Sequence, residues 1–223
     1  MTPDRWRLLK DRLDRRQPDL TVVLERVHKP HNLAAVVRSA DAAGLFEAHI
    51  VPGEDGSHIS PQTAQGAEKW LRVRRHPDIR QAVAPLRERG HAILAAHLDE
   101  GAVNFRDVDY TRPTAVIFGA EKQGVSGEAA ALADRTIHIP MEGLVQSLNI
   151  SVACALVLFE AQRQRRIAGL YDQRRLDAAT YERTLFEWAY PHVARRYRER
   201  GESYPALDAE GGLPSGNRRR RLP

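Results

Sequence analysis

Ser147, Asn149 and Ser151 alternate along Ser147-Leu148-Asn149-Ile150-Ser151, where an apolar helix opens after Ile137-His138-Ile139-Pro140-Met141 and a loop carrying Glu142, Gly143 and Gln146. A helix start needs one cap, and Ser147 can provide it. The surplus of polar groups at a strand-to-helix junction points to a small-molecule site. The same pattern occurs twice more. Pro113 to Phe118 breaks into Gly119-Ala120-Glu121-Lys122-Gln123-Gly124-Val125-Ser126, and Thr21 to Leu24 leads into Val27-His28-Lys29-Pro30-His31-Asn32. These junctions and the helix after Asn32 present amides, glycines, the carboxylate of Glu121 and the mid-helix cation Arg38. Taken singly, Arg38 reads as a surface charge and Glu121 as a turn residue. Together they make a glycine-lined pocket with hydrogen-bonding amides beside a guanidinium, which suits an adenosine-type ligand next to an RNA backbone.

Other chemistries fail on spacing. Gly119 to Ser126 has the outline of a phosphate-binding loop, but Val125 stands in the lysine position, so phosphate charge has no partner. No GxGxxG dinucleotide fingerprint follows a strand. The nine histidines show no HExxH spacing, and His28 and His31 lack a further ligand, so no metal is expected. No serine sits in a GxSxG elbow.

The elements that must hold these residues alternate. Strands are predicted near 20–24, 48–51, 71–75, 91–97, 114–118 and 136–139, with helices near 4–16, 32–43, 78–89 and 147–165. This order predicts an α/β fold, a mostly parallel sheet with helices on both faces. In such sheets ligands gather at the carboxyl ends of strands, so three elaborated loops at three such ends point to one site. Asn32 is placed to cap the second helix and Gly44 to end it. Leu148, Val152, Ala155, Leu156 and Phe159 recur at helical spacing and predict the core stripe of the last sheet helix. Thr63-Ala64-Gln65-Gly66-Ala67 reads as a helical turn or loop.

The 223 residues suit one sizeable domain with appendages, and 42% apolar content supplies a core. Cys154, the one cysteine, reads as a small core residue in a reducing compartment. The charged amino terminus offers no signal peptide, and the run from Val152 to Phe159 is too short to span a bilayer, so a cytoplasmic protein with no membrane partner is expected. Net charge is +5, and residues 161–200 hold ten arginines against five acids. Such basic segments fit a polyanion such as RNA, or equally a solvated helix face in an arginine-rich chain. Expected boundaries are a helical extension over 1–19, the α/β domain over 20–168, a basic helical extension over 169–204 and a disordered tail over 205–223, where Arg218 to Arg221 lie.

Three blocks resemble the ordered motifs of the SPOUT 2′-O-ribose RNA methyltransferases. They are Asn32-Leu33-Ala34-Ala35-Val36-Val37-Arg38-Ser39-Ala40-Asp41-Ala42-Ala43-Gly44, Ile117 through Ser126, and Ile139-Pro140-Met141 through Ser147-Leu148-Asn149-Ile150-Ser151-Val152-Ala153. Ala34 stands where the first motif often has glycine. With Gln17-Pro18-Asp19-Leu20 before these blocks and Glu160-Ala161-Gln162-Arg163-Gln164-Arg165 after them, the chain is most similar to the branch that methylates the D-loop guanosine of tRNA.

The resemblance implies S-adenosylmethionine bound within a C-terminal trefoil knot, in a homodimer whose site is completed across the interface. It implies cofactor contacts from Ala96, His97, Leu98, Gly119, Gly124, Ile139, Met141, Ser147 and Leu148. It places Asn32, Arg38, Glu121, Ser147 and Asn149 in catalysis. Arg38 is then expected to polarise the ribose hydroxyl and hold the adjacent phosphate, a guanidinium being always protonated. Asn32 would position Arg38 or the ribose, while Glu121 and Asn149 brace the cofactor loops. Arg163, Arg165, Arg166, Arg174, Arg175, Arg195, Arg196 and Arg198 are the expected tRNA clamp. Two other readings remain open at this point: the same chemistry on ribosomal RNA, and an RNA-binding protein that keeps the fold without catalysis.

Overall fold

The computed structural model describes residues 1–53, 69–121 and 123–214. The turn expected at Thr63 to Ala67 and the run Arg218 to Arg221 lie outside them. The chain divides into two compact units, one of residues 17–172 and one joining Met1–Arg16 to the segment from Gln173 onward.

The larger unit is a seven-stranded parallel sheet. Its strands are β1 (Leu20–Glu25), β2 (Glu47–Val51), β3 (Arg72–Arg75), β4 (Ala92–Ala96), β5 (Val103–Asn104), β6 (Thr114–Phe118) and β7 (Arg135–His138). Their order is β3-β2-β1-β6-β4-β7-β5. Parallel strands covered on both faces read as unbroken apolar runs, which is why β1 and β6 stand out in the sequence. Alternate residues serve opposite faces. Val22, Leu24, Val116 and Phe118 pack with α2 (Pro30–Ala42) and α5 (Ile150–Ile167). Val23, Ala115 and Ile117 pack with α3 (Ile79–Glu88) and α4 (Gly127–Leu132).

The expected elements form, with three corrections and some additions. First, α2 starts at Pro30, preorganised for the first helical position, so Asn32 lies inside the first turn and is not the cap. Gly44 does end the helix, at φ +82°, a left-handed geometry that only glycine adopts without cost. Second, α5 is capped by Asn149, whose Oδ1 accepts from Ser151 N at 2.8 Å, and not by Ser147. Third, the predicted core stripe of α5 does not face the core. Val152, Leu156 and Phe159 are 48%, 40% and 47% exposed, and the sheet is met by Ile150, Cys154, Val157, Leu158 and Ala161. Early α5 is apolar nearly all round, so spacing alone cannot choose the inward face. Short β5, the 3-10 turn Phe105–Asp107 and α4 were too brief to leave a periodic signal.

In the smaller unit α1 (Pro3–Asp14) buries Trp6, Leu9 and Leu13, and packs with α6 (Ala178–Ala189). The helix α7 (Pro191–Glu199) follows. Residues 205–214, expected to be loose, have defined partners. Trp6 Nε1 donates to Ala209 O at 2.9 Å, and the Tyr190 hydroxyl donates to Gly211 O.

Candidate active site at the carboxyl ends of the strands

Register fixes which loops meet. Leu24 lies beside Phe118, Ala95 beside Ile117, and Ala96 beside Ile137. Neighbours β1, β6, β4 and β7 therefore end at one edge, and the segments after them emerge side by side. The sequence separates these segments by as much as 117 residues, from Asn32 to Asn149; the parallel sheet removes that separation.

At this edge Asn32, Glu121 and Asn149 form a closed ring. Glu121 Oε1 accepts from Asn32 Nδ2 and, at 2.9 Å, from Asn149 Nδ2. The second Asn149 hydrogen reaches Asn32 Oδ1 at 3.2 Å. Glu121 Oε2 takes the Lys29 ammonium. The Lys29 contact first and the Asn32 amide second hold the Glu121 carboxyl below its ordinary range, so it stays anionic. Asn149 Oδ1 meanwhile caps α5 and accepts the Ser151 hydroxyl at 2.6 Å. One amide thus fixes the start of the helix and the carboxylate of a distant loop.

The Gly119 loop is folded tightly on itself. Gly124 N donates to Ala120 O at 2.8 Å, with Gly124 at φ +68°. A Cβ on Gly119 would fall 1.9 Å from Gly124 O, so no side chain fits there. Beside this loop, His97 Nδ1 lies 4.0 Å from where a Gly124 Cβ would be. Ala96 and Ile139 are half-buried and pack against the core, while Leu98 and Gly124 are exposed. The next loop is tied by Asp99, whose Oδ1 accepts from Gly101 N at 2.8 Å and from the Thr136 hydroxyl at 3.0 Å.

Arg38 and Ser147 do not join the ring. Both are exposed, and neither makes a hydrogen bond or ion pair with the described residues. Arg38 lies six residues beyond Asn32, about 120° from it round the helix axis, so the two leave α2 in different directions. Ala35 and Ser39, flanking Arg38 on α2, line an open groove with Ser151, Val152, Ala155, Leu156 and Phe159 of α5. Met141 and Leu148 are half-buried.

The arginines expected to meet RNA separate into classes. Arg165 departs from the expectation. It is fully buried, donating to Tyr110 O at 2.8 Å, Arg112 O at 2.9 Å and Gln17 Oε1 at 3.0 Å, and pairing with Asp19 at 2.7 Å. It anchors α5 to the opposite end of the sheet. Arg163 is exposed and paired with Glu160, and Arg166 covers the Tyr171 ring. In the smaller unit Arg174 covers Tyr181, Arg195 faces Glu199, Arg198 pairs with Glu187, Arg196 is exposed and Arg175 is half-buried.

Sequence reasoning missed Glu25 and Ser126. Glu25 is 2% exposed and accepts from Ser126 N at 2.9 Å and the Ser126 hydroxyl at 2.6 Å. The available signal was a carboxylate directly ending the strand run Leu20-Thr21-Val22-Val23-Leu24.

Residues 19–159 match the SpoU rRNA Methylase family, and residues 163–215 its SpoU, rRNA methylase, C-terminal companion. The tRNA (guanosine(18)-2′-O)-methyltransferase of Thermus thermophilus is 56% identical over 187 residues, covering 84% of this chain and 96% of that protein. The crystal structure of the A. aeolicus TrmH/SpoU tRNA modifying enzyme superposes with a TM-score of 0.79 at 39% identity, over 85% of this chain and 97% of that one. The SpoU methyltransferase AviRb from Streptomyces viridochromogenes, in complex with the cofactor AdoMet, gives a TM-score of 0.60 at 31% identity, over 70% and 61%. With its three motifs joined at one sheet edge and matched over most of its length, this chain belongs to the SpoU methylase family.

Proposed function

We propose that the chain is an S-adenosylmethionine-dependent RNA 2′-O-ribose methyltransferase, acting on the ribose of guanosine 18 in the D-loop of tRNA. The observation that carries the reading is the Asn32–Glu121–Asn149 ring, which ties together one residue from each of three separated motifs. A relative more than half identical over most of the chain bears the tRNA name, which favours tRNA over ribosomal RNA.

The strand-end loops fit the cofactor by their chemistry. Half-buried Ala96 and Ile139 offer an apolar floor, with exposed Leu98 and Gly124 at its rim. Ala96, His97, Leu98, Gly119, Gly124, Ile139, Met141, Ser147 and Leu148 would hold it. When bound, S-adenosylmethionine supplies a methyl group already activated on a sulfonium. The protein's remaining task is to align a ribose oxygen and ease loss of its proton. Arg38 does this as a hydrogen-bond donor, holding the neighbouring phosphate and polarising the hydroxyl; it is no base, so the hydroxyl proton would pass to that phosphate as the oxygen takes the methyl. The ring keeps the loops preorganised, so alignment is in place before substrate arrives. Exposed Ser147, two residues before Asn149, would add a hydroxyl donor toward the substrate.

Two chains make the working enzyme in this reading. The groove beside Arg38 is apolar and open on α5, and Arg38 is exposed while its own Asn32 is buried. A second copy seated on that groove covers Val152, Leu156 and Phe159 and brings Arg38 to the partner's ring. The reading includes the trefoil knot, which is supported by a chain that leaves β7, between β4 and β5, and then packs α5 against α2. The exposed arginines, Arg163, Arg166, Arg174, Arg195, Arg196 and Arg198, with half-buried Arg175, supply the RNA-binding charge. Cytoplasmic placement is supported by the buried, unpaired Cys154; among the described residues no helix is long and apolar enough to cross a membrane.

The test is transfer from labelled S-adenosylmethionine to an unmodified tRNA transcript, with the methyl group mapped. Label on the D-loop guanosine ribose is the expected result. Cofactor binding with no transfer to tRNA overturns the substrate and moves it to ribosomal RNA; no cofactor binding overturns the enzyme.

A further inference from the structure

We infer that Glu25 is a positioning residue for the cofactor site, acting through Ser126 to lock the loop that carries Glu121. The inference rests on the methyltransferase reading above and names a residue that the motifs do not single out.

Glu25 is expensive where it stands. It is 2% exposed at the end of a strand buried at every position, and burying a carboxylate is unfavourable unless its oxygens are satisfied. Among the described residues it has no ion pair. Instead both oxygens are spent on one residue: Oε2 accepts from Ser126 N at 2.9 Å and Oε1 from Ser126 Oγ at 2.6 Å. The fold itself needs less. Ser126 already caps α4 through Ala129 N at 3.1 Å, and Val125 is buried on the sheet.

What the pair adds is a fixed far end for the loop. The near end is held where Gly119 packs on the backbone of Gly124 and Val125. Glu121 sits between these anchors, and its carboxylate gathers Lys29, Asn32 and Asn149. Glu25 also ends the strand from which the first motif departs. Arg26, next in the chain, takes φ +53°, a left-handed turn unusual for arginine, while its N–H bonds Val51 O at 2.9 Å. One buried side chain thereby sets the second motif's loop against the exit of the first. If the loop is released, only a fraction of molecules present the competent shape, and the apparent cofactor affinity falls by that fraction. Saturating cofactor recovers the competent state, so the loss belongs in KM and not in kcat.

Glu25→Gln, nearly isosteric, turns an amide toward the two Ser126 donors. Expected are a rise of about tenfold in the dissociation constant and KM for S-adenosylmethionine, kcat within about threefold and tRNA affinity within about twofold. Ser126→Ala, at a half-exposed site that folds more safely, raises the cofactor dissociation constant about fivefold, and Ser126→Thr, which restores the hydroxyl, recovers most of that loss. The double variant is no worse than Glu25→Gln alone. A lowered melting temperature with unchanged cofactor affinity overturns the inference, as does unchanged affinity in Ser126→Ala should Glu25→Gln not fold. Absence of methyl transfer by the wild-type protein is a separate result that counts against the reading, since the variants are judged on cofactor binding.

Discussion

Asn149 Nδ2 donates to Glu121 Oε1 at 2.9 Å, joining the first residue of the α5 cap to a loop 28 positions earlier. Because Asn149 Oδ1 caps the helix, the carboxylate and the helix start cannot move independently. The ring at the centre of the site is therefore built from fold-forming interactions.

Glu121→Gln should disturb this ring more than its size suggests. Three donors, from Lys29, Asn32 and Asn149, converge on the carboxylate, and an amide brings a fourth donor among them. The expected outcome is at least a tenfold weaker cofactor dissociation constant with tRNA affinity little changed, measured by calorimetry and filter binding. Lys29 and Asn32 hold the Glu121 pKa below its usual range, so the wild-type carboxylate is charged throughout neutral and mildly acidic pH. An acid limb in kcat/KM above about pH 5 must then come from another group, and should persist in Glu121→Gln.

Much of this was legible because parallel strands advertise themselves. Thr114 to Phe118 is buried at every position, and its sequence is apolar at nearly every position. The three motif loops follow such strands, so their convergence could be argued before the sheet was seen. Helix starts were less legible. Asn32 and Ser147 are both good caps by type, yet Pro30 starts one helix earlier and Asn149 starts the other later. Cap chemistry is local, and neighbouring candidates differ by little. The inward face of α5 was hidden because apolar residues lie on both sides, one for the sheet and one left open. Arg165 and Glu25 were hidden for a common reason: their burial is set by partners 146 and 101 positions away, which no local pattern reports.

Arg165→Ala should destabilise the larger unit without touching RNA recognition. Its guanidinium satisfies three backbone carbonyls as well as Gln17 and Asp19, and all lose their donor together. A loss of about 3–5 kcal/mol is expected in chemical denaturation. In the folded fraction, the slope of log affinity against log salt should match wild type. By contrast, exposed Arg196→Ala should leave stability unchanged and reduce that slope by about one.

Glu47 carries a prediction about acid stability. Burial opposes its charge, but His49, Arg74 and Arg89 outweigh burial and bring its pKa far below 4.5. A depressed carboxylate contributes stability that is complete above the unfolded-state pKa and drains as pH falls toward the folded value. His76, on His49 at 2.8 Å, is lowered by burial and then by His49 and Arg74, so it stays neutral near pH 7 and does not offset the effect. Glu47→Gln should cost about 1–3 kcal/mol at pH 7. The gap between the two proteins should be flat from pH 5 to 8 and close below about pH 4.5, read from urea unfolding at each pH. A gap that widens on acidification would contradict the assignment.

Phe159→Arg tests the open face of α5. Phe159 is 47% exposed beside Val152 and Leu156, and it makes no part of either core cluster. A charge there should leave the melting temperature of the isolated chain within a few degrees. In sedimentation it should convert a dimer to a monomer, and methyl transfer should fall by at least a hundredfold. A wild-type protein that sediments as a monomer would remove the second copy from the proposal.

Arg38 decides whether the second copy supplies chemistry or only cover. Arg38→Lys should cut turnover by a hundredfold or more with tRNA affinity nearly kept, because an ammonium cannot grip a phosphate and a hydroxyl in one plane. Asn32→Ala and Arg38→Ala should each be almost inactive alone. When they are mixed and allowed to exchange subunits, half the dimers pair one of each. If Arg38 serves the partner's ring, each mixed dimer has one intact site, with wild-type Asn32 from one chain and wild-type Arg38 from the other. Activity should then return to about a quarter of wild type. If Arg38 serves its own ring, every site in the mixture lacks one residue, and no activity returns. The exposure of Arg38, about 120° from buried Asn32 round one helix, leads us to expect recovery.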